Sequence, residues 1–293
     1  MSGTVEDEAT PARLLWRTVE PVHAVVYFAP EVAAAIAELG VVGWWRGYVA
    51  GRSGPLGVVP APVVEALFHG FAAARISKAV PSVWQVVEPE RLLDVREQAV
   101  TDALHRLAPG PSADTASTER AVALLRRALG GAEVGGRALY AAHAARRWPT
   151  TPTVQLWHAC TLLREHRGDG HVAALTAAGV DGASANLLAV AAGVVPDGEA
   201  QRLNRGWSPE VWDERAAALI ADGLLAADGS LTERGVELRS RIERDTDLAA
   251  AGPLRALGSA GSAELVELLA PWVDAIVGSG TVSFPNAMGL TPR

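Results

Sequence analysis

Apolar residues recur at helical spacing along almost the whole chain, and the points where that spacing fails divide it into helices. Pro11 opens a helix carrying Leu14, Leu15 and Val19, which Pro21 should kink or end, because proline removes an amide donor and crowds the preceding turn. A second helix starts near Pro30 and stops at Gly40. In Gly43-Trp44-Trp45-Arg46-Gly47-Tyr48-Val49-Ala50-Gly51-Arg52 the glycines recur at every fourth position and would line up as a groove down a helix. Each costs about 1 kcal/mol against alanine, so a neighbouring helix or a flat ligand is expected over them. After a loop of glycine and proline, residues 63–75, 76–87 and 89–107 read as three further helices. Residues 109–117 hold turn formers and no large apolar side chain, which predicts a linker. The chain then divides into a helical ligand-pocket domain (1–108) and a second helical domain (118–293).

In the second part, helices are predicted over 118–129, 136–147 and 153–167, with a break at Gly168-Asp169-Gly170 and a restart near His171. Residues 183–192 and 197–204 follow, and Ser208-Pro209-Glu210 opens a longer helix with an N-cap, a proline at its first position and an acid in its first turn. It ends at Gly223. Leu224 to Thr232 reads as a tiny β-hairpin, with Asp228-Gly229 supplying the positive φ angles of a type I′ turn, and Thr232 caps a helix over 233–247. This order is that of a winged helix-turn-helix over about 171–250. The predicted fold class is mainly α: a multi-helical N-terminal domain plus a C-terminal winged helix-turn-helix with one small β-hairpin.

Composition narrows the function classes. The 293 residues carry a net charge of −7, 49% hydrophobic residues and only 5% aromatic ones. That suffices for a large buried core. Cys160 is the only cysteine, which excludes an internal disulfide and a cysteine-based zinc knuckle. The first ten residues lack the basic and apolar regions of a signal peptide, and no apolar run approaches eighteen residues. A soluble, cytoplasmic protein with no membrane partner is expected.

The densest chemistry lies between Trp157 and His171, with three of the seven histidines and two carboxylates. On a helix, Leu156, Cys160 and Leu163 share one face while His158, Thr161 and Glu165 line the other. His158 and Glu165 then face a shared space, and a buried Glu165 needs a cationic partner, for which Arg46 or Arg52 is the candidate. His158, Glu165, His166 and Asp169 are the acid–base candidates, since imidazole and carboxylate pair in that chemistry. His166, Asp169 and His171 are the metal-ligand candidates. Their spacing does not match two ligands one turn apart, and Asp169 also suits an N-cap. His23, Tyr27, Trp44, Arg46, Tyr48, Arg52 and His69 supply the aromatic walls and few polar groups of a ligand pocket. No P-loop, dinucleotide fingerprint or nucleophile elbow is present, and no cofactor is indicated.

Leu224-Leu225 and Leu231-Thr232-Glu233-Arg234-Gly235-Val236-Glu237-Leu238 resemble the segment after the recognition helix of MarR-type regulators. The wider pattern runs from His23-Ala24-Val25-Val26-Tyr27-Phe28-Ala29-Pro30-Glu31 through Trp45-Arg46-Gly47-Tyr48 and residues 164–171 to Pro285-Asn286-Ala287-Met288-Gly289-Leu290. It resembles an actinobacterial family of SalK-type helix-turn-helix proteins, over nearly the whole chain. The resemblance implies a winged-helix fold and assigns no catalytic residue. Against DNA stand Glu210, Asp213 and Glu214 on the helix that should read bases, and the net negative charge. The expectation is a small-molecule-binding, ligand-responsive regulator, with DNA contact disfavoured and a homodimer compatible. The alternative is an enzyme of specialised metabolism on the same scaffold.

Overall fold

Helical periodicity becomes helix wherever a face can be buried, and in the computed structural model, which describes residues 10–282, the regular structure is helical. The helices are α1 (Pro11–Phe28), α2 (Pro30–Glu38), α3 (Trp44–Ser53), α4 (Ala61–Phe68), α5 (Ala73–Ser77), α6 (Pro89–Leu107), α7 (Pro109–Ala113) and α8 (Thr115–Leu129). They continue as α9 (Ala138–Ala144), α10 (Pro152–Ala177), α11 (Gly182–Ala191), α12 (Gly198–Arg205), α13 (Pro209–Ala221), α14 (Glu233–Ala249) and α15 (Ala251–Gly278). The predicted Pro285–Leu290 pattern lies outside the described residues. Among the described residues no single helix is long and apolar enough to cross a membrane.

Two apolar cores hold these helices. The larger joins α1 to α6, α8 and the first half of α10 to α15, with Leu92, Leu104, Leu125, Leu156, Leu265 and Ile276 fully buried. It continues across residues 109–117, since Leu107, Ala108 and Ala121 all belong to it and α7 occupies most of that stretch. The smaller core gathers Leu175, Leu187, Leu188, Leu219 and Ile242 from the end of α10 and from α11, α13 and α14, with Leu225 from the turn between the last two. Helix α10 belongs to both, and packs against α1, α6, α8, α9 and α14.

Two expected breaks do not occur. Helix α1 runs through Pro21, whose missing donor costs a hydrogen bond; continuous burial from Thr18 to Val26 holds the helix together regardless. Helix α10 runs through Gly168-Asp169-Gly170 for 26 residues. A Cβ at Gly170 would lie 3.1 Å from the Ala249 Cβ and 3.2 Å from Arg137 Nη1, so this glycine serves close approach of α14 and Arg137. Asp169 still caps a helix, but a different one: it accepts from Tyr140 N at 2.9 Å in the first turn of α9.

The β-hairpin is also overturned. Among the described residues there is no strand or sheet, only one antiparallel bridge between Leu225 and Leu231. The reason is that the helix ends on either side take the backbone groups a ladder needs. Leu224 N and Leu225 N both donate to Leu219 O at the end of α13, and Thr232 N donates to Leu224 O. Thr232 Oγ1 accepts from Gly235 N at 3.1 Å and donates to Gly223 O at 2.7 Å, which fixes the start of α14 directly. The helix-turn-helix unit is therefore α11 to α14 with no winged sheet. Thr232→Ala should cost about 1 kcal/mol, the usual worth of an N-cap. Urea unfolding checks this, with a lowered midpoint at unchanged slope as the expected result.

Candidate functional site

The polar face of α10 is covered neither by water nor by open space but by other helices. His158 is 4% exposed, Thr161 1% and Glu165 0%, so the polar atoms of this face have protein groups and not water as neighbours. Arg52, on α3, meets Glu165 with both forks: Nε to Oε1 at 3.0 Å and Nη2 to Oε2 at 3.0 Å. Arg52 is one of the two partners expected from sequence; Arg46, the other, does not reach Glu165 and turns to Ser82. Arg164 adds a second pair, Nη1 to Glu165 Oε2 at 2.9 Å, and lies 3.6 Å from the Glu20 carboxylate of α1. Burial alone would raise the Glu165 pKa, but Arg164 and Arg52 outweigh it and hold the carboxyl well below its ordinary range. Burial raises that of Glu20.

His23 fixes the other end of this layer. Its Nδ1 lies 2.9 Å from Thr161 Oγ1 and its Nε2 3.0 Å from the Tyr27 hydroxyl. Thr161 donates its proton to Trp157 O at 3.0 Å, so it accepts from Nδ1, and Nε2 is left to accept from Tyr27. This neutral form agrees with a pKa pushed well below the ordinary imidazole value, by burial first and then by Arg164.

Next to this layer, a cavity of about 260 Å³ opens between α1, α2, α3 and α6. Tyr27, Trp44 and Tyr48 form its aromatic wall, Val32 and Ile36 its aliphatic wall, and Arg96 is the one charged residue of its lining. Trp44 is 47% exposed and stacks on Tyr48 with centroids 5.4 Å apart, so part of the aromatic wall faces solvent. Gly43, Gly47 and Gly51 all border the cavity, as their fourfold spacing predicted, though Gly43 is the cap of α3 and not part of it. Of the two purposes anticipated for the spacing, close packing of neighbouring groups is the one seen. A Cβ at Gly47 would press on Ile36 of α2 at 3.1 Å, and one at Gly51 would meet Arg96 Cδ and Nε at 3.2 Å.

Of the seven predicted pocket residues, Tyr27, Trp44 and Tyr48 line the cavity, and His23 supports Tyr27 from behind. Arg52 lies over Phe68, 4.4 Å from its ring centroid, and serves Glu165. Arg46 turns to Ser82 at 3.4 Å, and His69 reaches across to Val180 O at 3.0 Å in the helix-turn-helix unit. The acid–base and metal candidates disperse. His158 packs edge-on against Trp148, His166 packs edge-on against Tyr140, and His171 Nδ1 meets Thr246 Oγ1 at 2.9 Å. Among the described residues no group of three or more His, Cys, Asp and Glu side chains could hold a metal ion. The principal residue missed is Arg96. It occupies a position on the apolar stripe of α6 between Leu92 and Val100, where a charged residue is itself a signal.

The helix-turn-helix unit has a second hollow, about 1030 Å³, between α11, α13 and α14, lined by Arg215, Arg234, Arg241 and Arg244 together with Asp181, Asp222 and Glu237. The exposed side of α13 bears Glu210, Asp213 and Glu214. No curated protein and no solved structure matches the chain. A family model described as a helix-turn-helix family matches residues 12–283, which takes in both cores, the cavity and the α11–α14 unit, and the chain belongs to that helix-turn-helix family.

Proposed function

We propose that the protein is a cytoplasmic, ligand-responsive DNA-binding regulator, in which a small molecule held in the cavity between α1, α2, α3 and α6 biases the helix-turn-helix unit. The observation that carries this reading is the double attachment of α10. Glu165 is clamped by Arg52 of α3, the helix that borders the cavity. Two residues on, Arg167 donates to Asp247 of α14 at 2.7 Å, and His171 meets Thr246 one turn further along. A shift of α3 on filling the cavity is thereby transmitted through one rigid helix to α14. The residue-level resemblance to SalK-type helix-turn-helix proteins supports the same reading.

On this reading the phosphate contacts come from Arg234, Arg241 and Arg244, since the outer side of α13 is acidic. Among the described residues neither Arg241 nor Arg244 is in an ion pair, so both are free to meet phosphate. Purified protein should retard a subset of genomic fragments in low salt. Its nonspecific duplex binding should be weaker than the ordinary range of about 10⁻⁴ to 10⁻⁶ M. Glu210→Gln with Glu214→Gln should tighten nonspecific binding, and Arg241→Ala with Arg244→Ala should abolish retardation. If no fragment is retarded by the native protein or by the charge-relieved variant, the regulator reading fails.

A further inference from the structure

The interior charges beside the cavity do not balance. Arg52 and Arg164 share Glu165, and Glu20 lies beside Arg164, which accounts for both carboxylates of the layer. Arg96 is left over. It is 3% exposed, in no ion pair among the described residues, and its single hydrogen bond runs from Nη1 to Gly51 O at 2.6 Å. A guanidinium carries five N–H donors, so one carbonyl leaves most of its capacity unused. The Trp157 ring, 5.4 Å from its carbon centre, supplies some compensation but no acceptor oxygen. Burying an unpaired cation is costly, and burial lowers the Arg96 pKa as that cost requires. The bordering cavity is otherwise aromatic and aliphatic, and Gly51 keeps α3 low enough for the Arg96 side chain to lie against it.

We propose that the cavity binds a small organic monoanion, a ring-bearing carboxylic acid whose carboxylate pairs with Arg96 and whose ring packs among Val32, Ile36, Trp44 and Tyr48. The size agrees. An apolar cavity of about 150 Å³ accepts one benzene ring, and about 260 Å³ accepts a ring with its carboxylate. The charge also agrees: one unpaired guanidinium in an apolar lining matches a single negative charge, whereas a phosphate dianion would bring a second charge with no partner. Planar, bidentate recognition of carboxylate is what an arginine supplies best.

This inference rests on reading the cavity as a ligand site, and the test separates the two. The full-length protein is titrated with benzoate, benzamide and benzylamine by calorimetry and tryptophan fluorescence. Benzoate should bind at least about tenfold tighter than benzamide, the worth of a charge-assisted hydrogen bond over a neutral one. Benzylamine should not bind. Arg96→Met should abolish the preference for the anion. Because that change also removes the bond to Gly51, Ala37→Phe provides a second variant: Ala37 is exposed at the cavity rim, and a ring there should block entry without touching Arg96. Equal affinity for benzoate and benzamide, lost in both with Ala37→Phe, would overturn the anion and leave the cavity a ligand site. Benzoate binding that survives both substitutions would place it elsewhere and overturn the proposal. If none of the three compounds binds, both the anion and the ligand site fall.

Discussion

Glu165→Gln is expected to lower the free energy of unfolding by about 3–5 kcal/mol, the cost of removing one member of a buried ion pair. The carboxylate is 0% exposed and receives three charge-assisted hydrogen bonds, two from Arg52 and one from Arg164. A glutamine oxygen in the place of Oε2 can still accept from Arg52 Nη2 and Arg164 Nη1, but the charge is gone and the NH₂ in the place of Oε1 turns its donors against Arg52 Nε. Arg52, Arg164 and Arg96 would then share only Glu20, whose carboxyl already tends to take up a proton because it is buried. Chemical denaturation reads the loss directly. A control distinguishes the lost pair from the stranded charges: Arg52→Met combined with Glu165→Met should recover much of the stability, because an apolar pair of similar volume replaces an ion pair at little cost. A Glu165→Gln protein within about 0.5 kcal/mol of the native one, as for a surface change, would show that the network contributes little.

What the sequence made legible followed from local rules with few competitors. Ser208 and Thr232 cap α13 and α14 as their types and positions predict, so the helix-turn-helix unit was readable almost to the residue. The partner of Glu165 was readable down to Arg46 or Arg52, because a buried carboxylate leaves few solutions, and the fold selects Arg52. Misreadings arose where a local signal met a stronger tertiary demand. Asp228-Gly229 is a turn signal and a turn forms there, with Gly229 at φ +82°, but the caps of α13 and α14 consume the flanking backbone before a second pair of bridges can form. Gly168 and Gly170 suggest a break, yet the space they leave is used by neighbouring groups. Helix α15 escaped assignment although Leu257, Leu265, Leu269 and Ile276 have helical spacing, because Gly258, at φ +73°, interrupts the repeat. Arg96 was missed because an arginine in an amphipathic helix is ordinarily assigned to water; only its register with Leu92, Val100 and Leu104 places it inside.

Stability should fall steeply as the pH drops from 6.5 towards 4. Burial lowers the pKa of His143 to about 4 and, with help from the neighbouring His143 and Arg146, that of His158 to about 3. In the unfolded chain both imidazoles titrate near 6.5. Between these values the unfolded state binds protons that the native state refuses, so acid favours unfolding, and stability is fully present only above 6.5. Each such histidine contributes up to about 1.4 kcal/mol per pH unit, and the pair up to about 3. His23 acts in the same direction. Glu165, held below its ordinary range, adds a further loss once the pH falls through about 4.5, whereas Glu20, raised by burial, opposes it by taking up a proton in the native state. The histidines should dominate above pH 5, where an unfolded carboxylate is still ionised. Urea titrations at half-unit intervals from pH 7.5 to 5 measure the slope. His158→Phe isolates one contribution, since among the described residues His158 Nε2 has no hydrogen-bond partner and the ring packs edge-on against Trp148, as a phenyl ring can. That variant should flatten the slope by about 1.4 kcal/mol per pH unit. A stability unchanged between pH 7 and 5 would mean that these imidazoles reach water and take up protons while the protein stays folded.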